Sequence, residues 1–338
     1  MMAQLKRYPQ IKTIVGTGGH KTFSNCDITH ELRMLITPNE LSQWKKPRPL
    51  RCLFDLMMVW AQIIFAFVLV YFVPHNVVYA FAFLLISGGQ HGLNLIAHEF
   101  AHKLVLPKSK KINDLIGEWL FAGPGGLALD FYRVNHLMHH RLVSTKEDTK
   151  YVYKVNIRGF RFFVFVFKSL SGLDYLNEVI RQMDRIIHNY YQGSRGQNTF
   201  RSFISFGLTQ LVIGLALCLW NPWVYVTLWL IPLFTATRFF NTIRGLVEHH
   251  PLESEAGSDP DGPYFKGTEQ PFNRTVMPTI FERLFLCKLN FNYHLEHHLW
   301  PGISYQYLPE VHHRLRDHLG WLRPQCYSAI ILDIVKGR

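Results

Sequence analysis

Apolar positions cluster in two long blocks. Residues 53–97 contain no Lys or Arg and a single acid, Asp55, and residues 202–237 contain no charged side chain at all. Each block exceeds one bilayer crossing, which takes about 20 apolar residues. Each also carries a turn signal near its middle, Pro74-His75-Asn76 in the first and Asn221-Pro222 in the second. The pattern predicts four spans as two helical hairpins, near 53–73, 77–97, 202–220 and 223–243, and uncharged runs of this length rarely fit a soluble core. Residues 1–52 then read as a cytosolic N-terminal arm. The rest forms one membrane domain whose cap comprises 98–201 and 244–338. Within the cap, Leu115–Phe131 is apolar but broken by Gly123-Pro124-Gly125-Gly126, as in a re-entrant or interfacial element. Residues 157–173 mix Arg158, Arg161 and Lys168 with many Phe and Val, as an in-plane amphipathic helix does. Residues 251–273 are acidic and turn-rich, either a cover for a site or a surface excursion. Gly88-Gly89 either packs helices or lets an apolar chain pass close to backbone.

Charge adds an orientation. The 36 basic residues divide as 9 in 1–52, 16 in 98–201 and 11 in 238–338, with none in the two short turns. The positive-inside rule places both termini and the cap in the cytoplasm. The formal net charge is +12, concentrated in 1–52 and 98–201. No nucleic-acid motif accompanies it, so nucleic acid is excluded as a partner. Anionic headgroups, or an acidic soluble protein, fit it better. The Cys residues are scattered without a CxxC pair, which argues against a disulfide framework or a Cys-type zinc site.

The 18 histidines are clustered. His98 and His102 form HxxxH, His136, His139 and His140 form HxxHH, and His294, His297 and His298 form a second HxxHH. On a helix, positions i and i+3 or i+4 share a face. Each cluster therefore reads as imidazoles turned toward one point beneath the membrane. Imidazole suits Zn, Cu, Fe and Ni. Eight rings exceed the four ligands of a tetrahedral structural zinc and suit two metals. His98-Glu99-Phe100-Ala101-His102 also satisfies HExxH, the zinc-peptidase helix with Glu99 as base, but that reading leaves both HxxHH clusters unexplained.

These boxes resemble the membrane fatty acid desaturase family. The resemblance covers roughly Leu53 to Arg316 and is strongest in Arg274-Thr275, Phe281-Glu282-Arg283-Leu284 and Asn290-Phe291-Asn292-Tyr293-His294-Leu295-Glu296-His297-His298-Leu299-Trp300-Pro301, with Leu308-Pro309 after them. Asp148 follows box two as the family pattern has it, with Thr149 where a Pro is usual. The resemblance implies an all-α membrane protein, four transmembrane helices with a cytoplasmic helical cap, and a histidine-ligated dimetal site holding two Fe ions. It implies O₂ as co-substrate and desaturation of a fatty acyl chain. Hydroxylation, ketolation or acetylenation of an acyl chain or carotenoid are the alternatives on the same scaffold. A non-enzymatic metal- or haem-binding membrane protein is the reading from another class.

The resemblance also implies a ninth nitrogen from the segment Asn241 to His250. His249 is the choice over His250, because it directly follows Glu248 and because Pro251 makes His250 a helix-end residue. Where some relatives place an Asn, this chain has Gly245. Glu99, Asp148, Glu248 and Glu296 are candidates to accept the ligands' other N–H. Implied partners are membrane lipid, an acyl substrate carried on lipid, coenzyme A or acyl carrier protein, and a separate electron donor. That donor is ferredoxin or cytochrome b5, since no His-Pro-Gly-Gly haem motif is fused to the chain.

Overall fold

A computed structural model describes residues 32–143, 148, 157–177, 180, 195–249, 273–316 and 325–336. In chain order the helices are α1 (Pro38–Trp44), α2 (Pro49–Phe72), α3 (Asn76–Ala101), α4 (Lys110–Gly117), α5 (Leu129–Leu142), α6 (Phe160–Leu170), α7 (Arg195–Trp220), α8 (Pro222–His249), α9 (Ile280–Phe285), α10 (His294–Leu299), α11 (Leu308–Leu315) and α12 (Tyr327–Lys336). Among the described residues there is no strand, only an isolated antiparallel bridge between Thr275 and Tyr293. α2, α3, α7 from Phe200 onward, and α8 are long and apolar enough to cross a membrane. The all-α architecture with four spans stands, and the protein is an integral membrane protein.

Side-chain chemistry sets the helix ends. His75 accepts from the Val77 N–H and starts α3, and Asn221 caps α8 with Pro222 in its first turn. α2 and α3 run antiparallel in close contact. A Cβ on Gly89 would meet Ile63 at 2.4 Å, and one on Gly92 would meet Val59 at 3.1 Å. A Cβ on Gly88 would meet the Leu284 carbonyl at 3.1 Å, so both members of Gly88-Gly89 pack elements together. α8 is not a uniform rod. A π-helical stretch at Val226–Leu230, Pro232, and an irregular Thr235 interrupt it, as expected where Pro removes a donor and crowds the preceding turn.

The segment after α4 enters the bundle. It makes a π-helical turn at Glu118–Ala122 and reverses through Gly123 to Gly126. The Gly123 carbonyl accepts from Gln210 Nε2 at 2.7 Å, and Trp60 Nε1 donates to the Leu120 carbonyl at 3.3 Å. Gln210 and Trp60 lie in the middle of α7 and α2, so the turn reaches mid-span depth. Irregular backbone persists there only when protein groups satisfy it. Gln210 also accepts from Trp229, whose carbonyl takes Gln90 Nε2, and Thr237 donates to Gln90 Oε1. Gly126 needs its residue type: it sits at φ +79° with Leu233 against it.

The structure departs from sequence expectation in the N-terminal arm. Leu32, Ile36 and Trp44 are buried in one core with Leu299, Leu308, Val311, Tyr327 and Ile330. Trp44 Nε1 donates to Glu310 at 3.0 Å, and Arg33 donates to the Leu299 carbonyl. Residues 32–44 thus belong to the cap. Apolar side chains and a capping box between Thr37 and Glu40 fold α1 onto it. α6 buries Phe162 and leaves Phe160, Phe163 and Phe167 uncovered on the opposite side, in keeping with the amphipathic reading. The expected loop at 251–273 lies outside the described residues, save Asn273.

Candidate metal centre

Four elements deliver the histidines. α3 extends to Ala101, past the end of its purely apolar stretch, so His98 sits on the span helix itself and His102 ends it. Cap residues satisfy the carbonyls of its last turn. Arg133 Nε donates to the Ala101 carbonyl at 2.9 Å, and both Arg133 Nη2 and Asn113 Nδ2 donate to the Phe100 carbonyl. Arg133 is held in turn by Asp114 and Asp130. It belongs to α5, the helix of His136, His139 and His140, so one guanidinium ties box one to box two. His249 is the last residue of α8. α10 is a short helix beginning at His294, secured by reciprocal bonds between Asn292 and Val276.

The nine imidazoles meet in two groups. His98, His102, His136, His140 and His297 form one, and His139, His249, His294 and His298 form the other. In each, one nitrogen per ring lies within 4.8 Å of all the rest. The groups abut, with the His140 and His298 rings 4.3 Å apart. Sequence expectation had each box facing one point; the structure splits two of the three. Residues i and i+4 differ by about 40° around a helix, whereas i+3 and i+4 differ by about 100°. The i,i+4 pairs (98/102, 136/140 and 294/298) each stay together. His139 and His297 cross to the other group.

The contacts within a group suit a cation. Nε2–Nε2 separations are 2.8 Å for His102–His136, 3.0 Å for His136–His140, 2.9 Å for His140–His297 and 3.0 Å for His98–His297. In the second group they are 2.9 Å for His249–His294 and 3.1 Å for His294–His298. A neutral ring nitrogen carries either one proton or one lone pair. Hydrogen bonding therefore accounts for two of the four contacts in the first group at most. Ligands at right angles around an ion with bonds of about 2.0–2.1 Å stand about 2.9 Å apart, which matches the whole set. Burial, and then the Arg133 cation, pushes His102 down to about 4. Burial and then neighbouring imidazoles hold His297 and His298 well below the usual histidine range. These three rings are thereby held toward the neutral form, with lone pairs to offer.

Three of the four candidate carboxylates lie beside ring nitrogens of the clustered histidines. Both Asp148 oxygens lie 2.9 and 3.1 Å from His139 Nδ1. Glu248 Oε2 is 3.4 Å from His294 Nδ1 while its Oε1 forms an ion pair with Arg244, whose Nε is 2.9 Å away. Glu99 Oε1 is 3.6 Å from His98 Nδ1, and its other oxygen accepts from the Tyr305 N–H. Glu296 departs from expectation. It accepts from Thr275 Oγ1 and pairs with His312 Nδ1 at 2.5 Å, because on α10 its side chain leaves the face that carries the box histidines.

Several contributors carried no signal in the box spacing. Tyr327 on α12 donates to Glu248 at 3.0 Å. Tyr132 stacks on His136 with centroids 5.3 Å apart, and Phe291 meets His98 edge-on at 5.0 Å. Tyr132 precedes His136 by one helical turn on α5, the one spacing cue that could have found it. His250, the rival of His249, lies outside the described residues.

Comparison with known proteins agrees with this geometry. The chain is 28% identical over 243 residues to dihydrorhizobitoxine desaturase of Bradyrhizobium elkanii, a match covering 67% of this chain and 64% of that relative. The family profile described as fatty acid desaturase matches residues 74–328, a range that holds all four spans except α2 and all nine clustered histidines. With that match across most of its length, the chain belongs to the fatty acid desaturase family.

Proposed function

We propose that the two imidazole groups each hold one iron and that the protein is an O₂-dependent desaturase of a fatty acyl chain. The observation that carries this reading is the convergence of nine imidazoles, six of them buried, in two abutting groups. Nine nitrogens are more than one structural zinc takes, and groups of five and four leave room for oxygen at a six-coordinate ion. A zinc peptidase needs one such group. When bound, a reduced pair of irons supplies the redox chemistry that activates O₂ and removes hydrogen from unactivated CH₂ groups.

The chain's own residues hold that centre in register. Asp148 accepts the His139 Nδ1–H, which leaves the lone pair on Nε2 facing the second group. Glu248 Oε2 lies 3.4 Å from His294 Nδ1, to which Arg244 Nη2 donates, also at 3.4 Å, and Arg244 and Tyr327 fix Glu248 in turn. Tyr132 and Phe291 close the first group with apolar faces that exclude water. In this reading both termini and the centre face the cytoplasm. A separate electron donor, ferredoxin or cytochrome b5, supplies reducing equivalents, and the acyl chain arrives on lipid, coenzyme A or acyl carrier protein.

The test is expression in a host of defined lipid content, with iron per chain and product mass measured together. Two irons and a product short of two hydrogens support the reading. A product with one added oxygen assigns hydroxylation. Zinc alone at one per chain overturns the reading. Because the Bradyrhizobium elkanii relative is named for dihydrorhizobitoxine, the assay covers that compound as well as lipids.

A further inference from the structure

α3 carries a polar stripe toward the centre of the bundle. Ser87, Gln90, Asn94 and His98 follow one another at steps of three or four residues, and all four are buried, so they share a helix face. Two of the three that precede His98 are satisfied. Ser87 Oγ donates to the Phe83 carbonyl at 2.7 Å, and Gln90 Nε2 donates to the Trp229 carbonyl while its Oε1 accepts from Thr237. Asn94 is not: it is 7% exposed, and its Oδ1 is buried without a hydrogen-bond partner. Gly125, in the turn from Gly123 to Gly126, packs directly against that oxygen, and a Cβ there would overlap it. The Gly125 N–H does not serve Asn94, since it donates to the Phe121 carbonyl at 2.9 Å. An acceptor left open inside a membrane bundle is costly, which marks a place where a ligand supplies the donor.

α5 repeats the arrangement. Tyr132 precedes His136 by the same four residues that separate Asn94 from His98, and both histidines belong to the five-nitrogen group. The Tyr132 ring is held by stacking on His136 and packs against the core of the bundle. Its hydroxyl makes no hydrogen bond with the described residues. On both helices, the residue one turn before the histidine lies toward the membrane. α3 runs from His98 back into its span, and α5 starts at Leu129, buried in the bundle core, just after the Gly123 to Gly126 turn. Two open polar groups therefore stand on the membrane side of one imidazole group, each about 6 Å along its helix from a histidine. A few polar groups placed in an otherwise apolar wall are what fixes the orientation of a bound small molecule.

We propose that Asn94 and Tyr132 form a polar subsite that binds a hydroxyl group on the substrate chain, on the membrane side of the five-nitrogen group. The proposal rests on the desaturase reading above and deepens it by naming the substrate class, a hydroxylated chain rather than a plain alkyl one. Asn94 Oδ1 needs a donor, and the Tyr132 hydroxyl has a hydrogen bond to give. A hydroxyl is donor and acceptor at once, an ammonium group offers no acceptor, and an alkyl chain offers neither. A site whose polar groups stay unpaired with the wrong ligand rejects it far more strongly than an apolar pocket rejects a missing methylene.

Full-length protein in detergent is titrated with dodecanoic acid and with each of its monohydroxylated positional isomers. Free acids serve because the chain, not its carrier, is under test. At least one isomer should bind the wild type about tenfold or more tighter than the plain acid. Asn94→Leu is close in shape, and Tyr132→Phe keeps the ring on His136. Each should cut the preference by about threefold or more, and the pair together should abolish it. Both should keep the wild-type affinity for the plain acid and a thermal midpoint at or above wild type, because neither polar group bonds another part of the chain. The subsite is overturned by the absence of a preferred isomer in wild type, by a preference that survives both substitutions, or by a lowered midpoint in both variants. The titration needs no iron and no turnover. A hydroxyl preference without any product therefore sinks only the desaturase reading, while turnover of a plain chain with no such preference sinks only this subsite.

Discussion

Removing the Asp148 carboxylate should empty one metal position and spare the other. Asp148 and His139 are both fully buried, and Asp148 touches His139 through both oxygens. His139 belongs to the four-nitrogen group alone. Asp148→Ala leaves the His139 Nδ1–H without its carboxylate and frees the ring to rotate or change tautomer. Loss of such a partner costs about 10–100-fold in metal affinity, or about 1.4–2.7 kcal/mol. The five-nitrogen group does not include His139, so its affinity should change little. Dialysis against graded chelator, followed by metal analysis, should show a plateau near one iron per chain in Asp148→Ala where wild type still holds two. Asp148→Asn, which keeps one acceptor oxygen but loses the charge, should fall between them. Glu296→Gln should show no such plateau, because Glu296 pairs with Thr275 and His312. Two irons lost together, or both retained at wild-type chelator levels, would refute the assignment of Asp148 to a single group.

Other outcomes follow from the same geometry. His249→Ala should lose iron and product whereas His250→Ala keeps near-normal iron, by metal analysis and product assay; the reverse ordering moves the ligand to His250. Tags at residues 2 and 338 should report the cytoplasmic side and a tag at His75 the opposite side, since both short turns lack basic residues; a terminus labelled from outside contradicts the shared face. Gly126→Ala should lower stability by about 1–2 kcal/mol, because a Cβ at φ +79° is strained and meets Leu233 at 2.9 Å. Gly207→Ala, on α7 with open space around its Cβ, should be neutral or stabilising by up to about 1 kcal/mol. Thermal midpoints in detergent that move in the same direction for both would contradict the strain argument.

The amino-acid sequence by itself determined the spans and the clustering of the histidines. Runs without Lys or Arg announce membrane crossings because burying a charge in hydrocarbon is costly, and this information is local. The helices begin and end within a few residues of the expected places: α2 starts at Pro49 rather than 53, and α3 ends at Ala101 rather than 97. The three boxes are local as well, since helical spacing turns imidazoles to a face. Even the division into five and four is latent in that spacing, as i,i+4 pairs stay together while i+3 partners stand about 100° from their i+4 neighbours.

What joins one element to another was decided only by the tertiary structure. Arg133 closing the end of α3, Tyr327 reaching Glu248 across 79 positions, and residues 32–44 entering the cap core are all contacts between distant parts of the chain. Glu99, Glu248 and Glu296 each sit beside one of the nine clustered histidines in sequence, yet Glu99 and Glu248 lie beside rings of that cluster and Glu296 turns to His312, outside it. A carboxylate's partner depends on which element packs opposite it. Hydrophobic patterning specifies the face a helix buries, but not the residue of another helix that will meet it there.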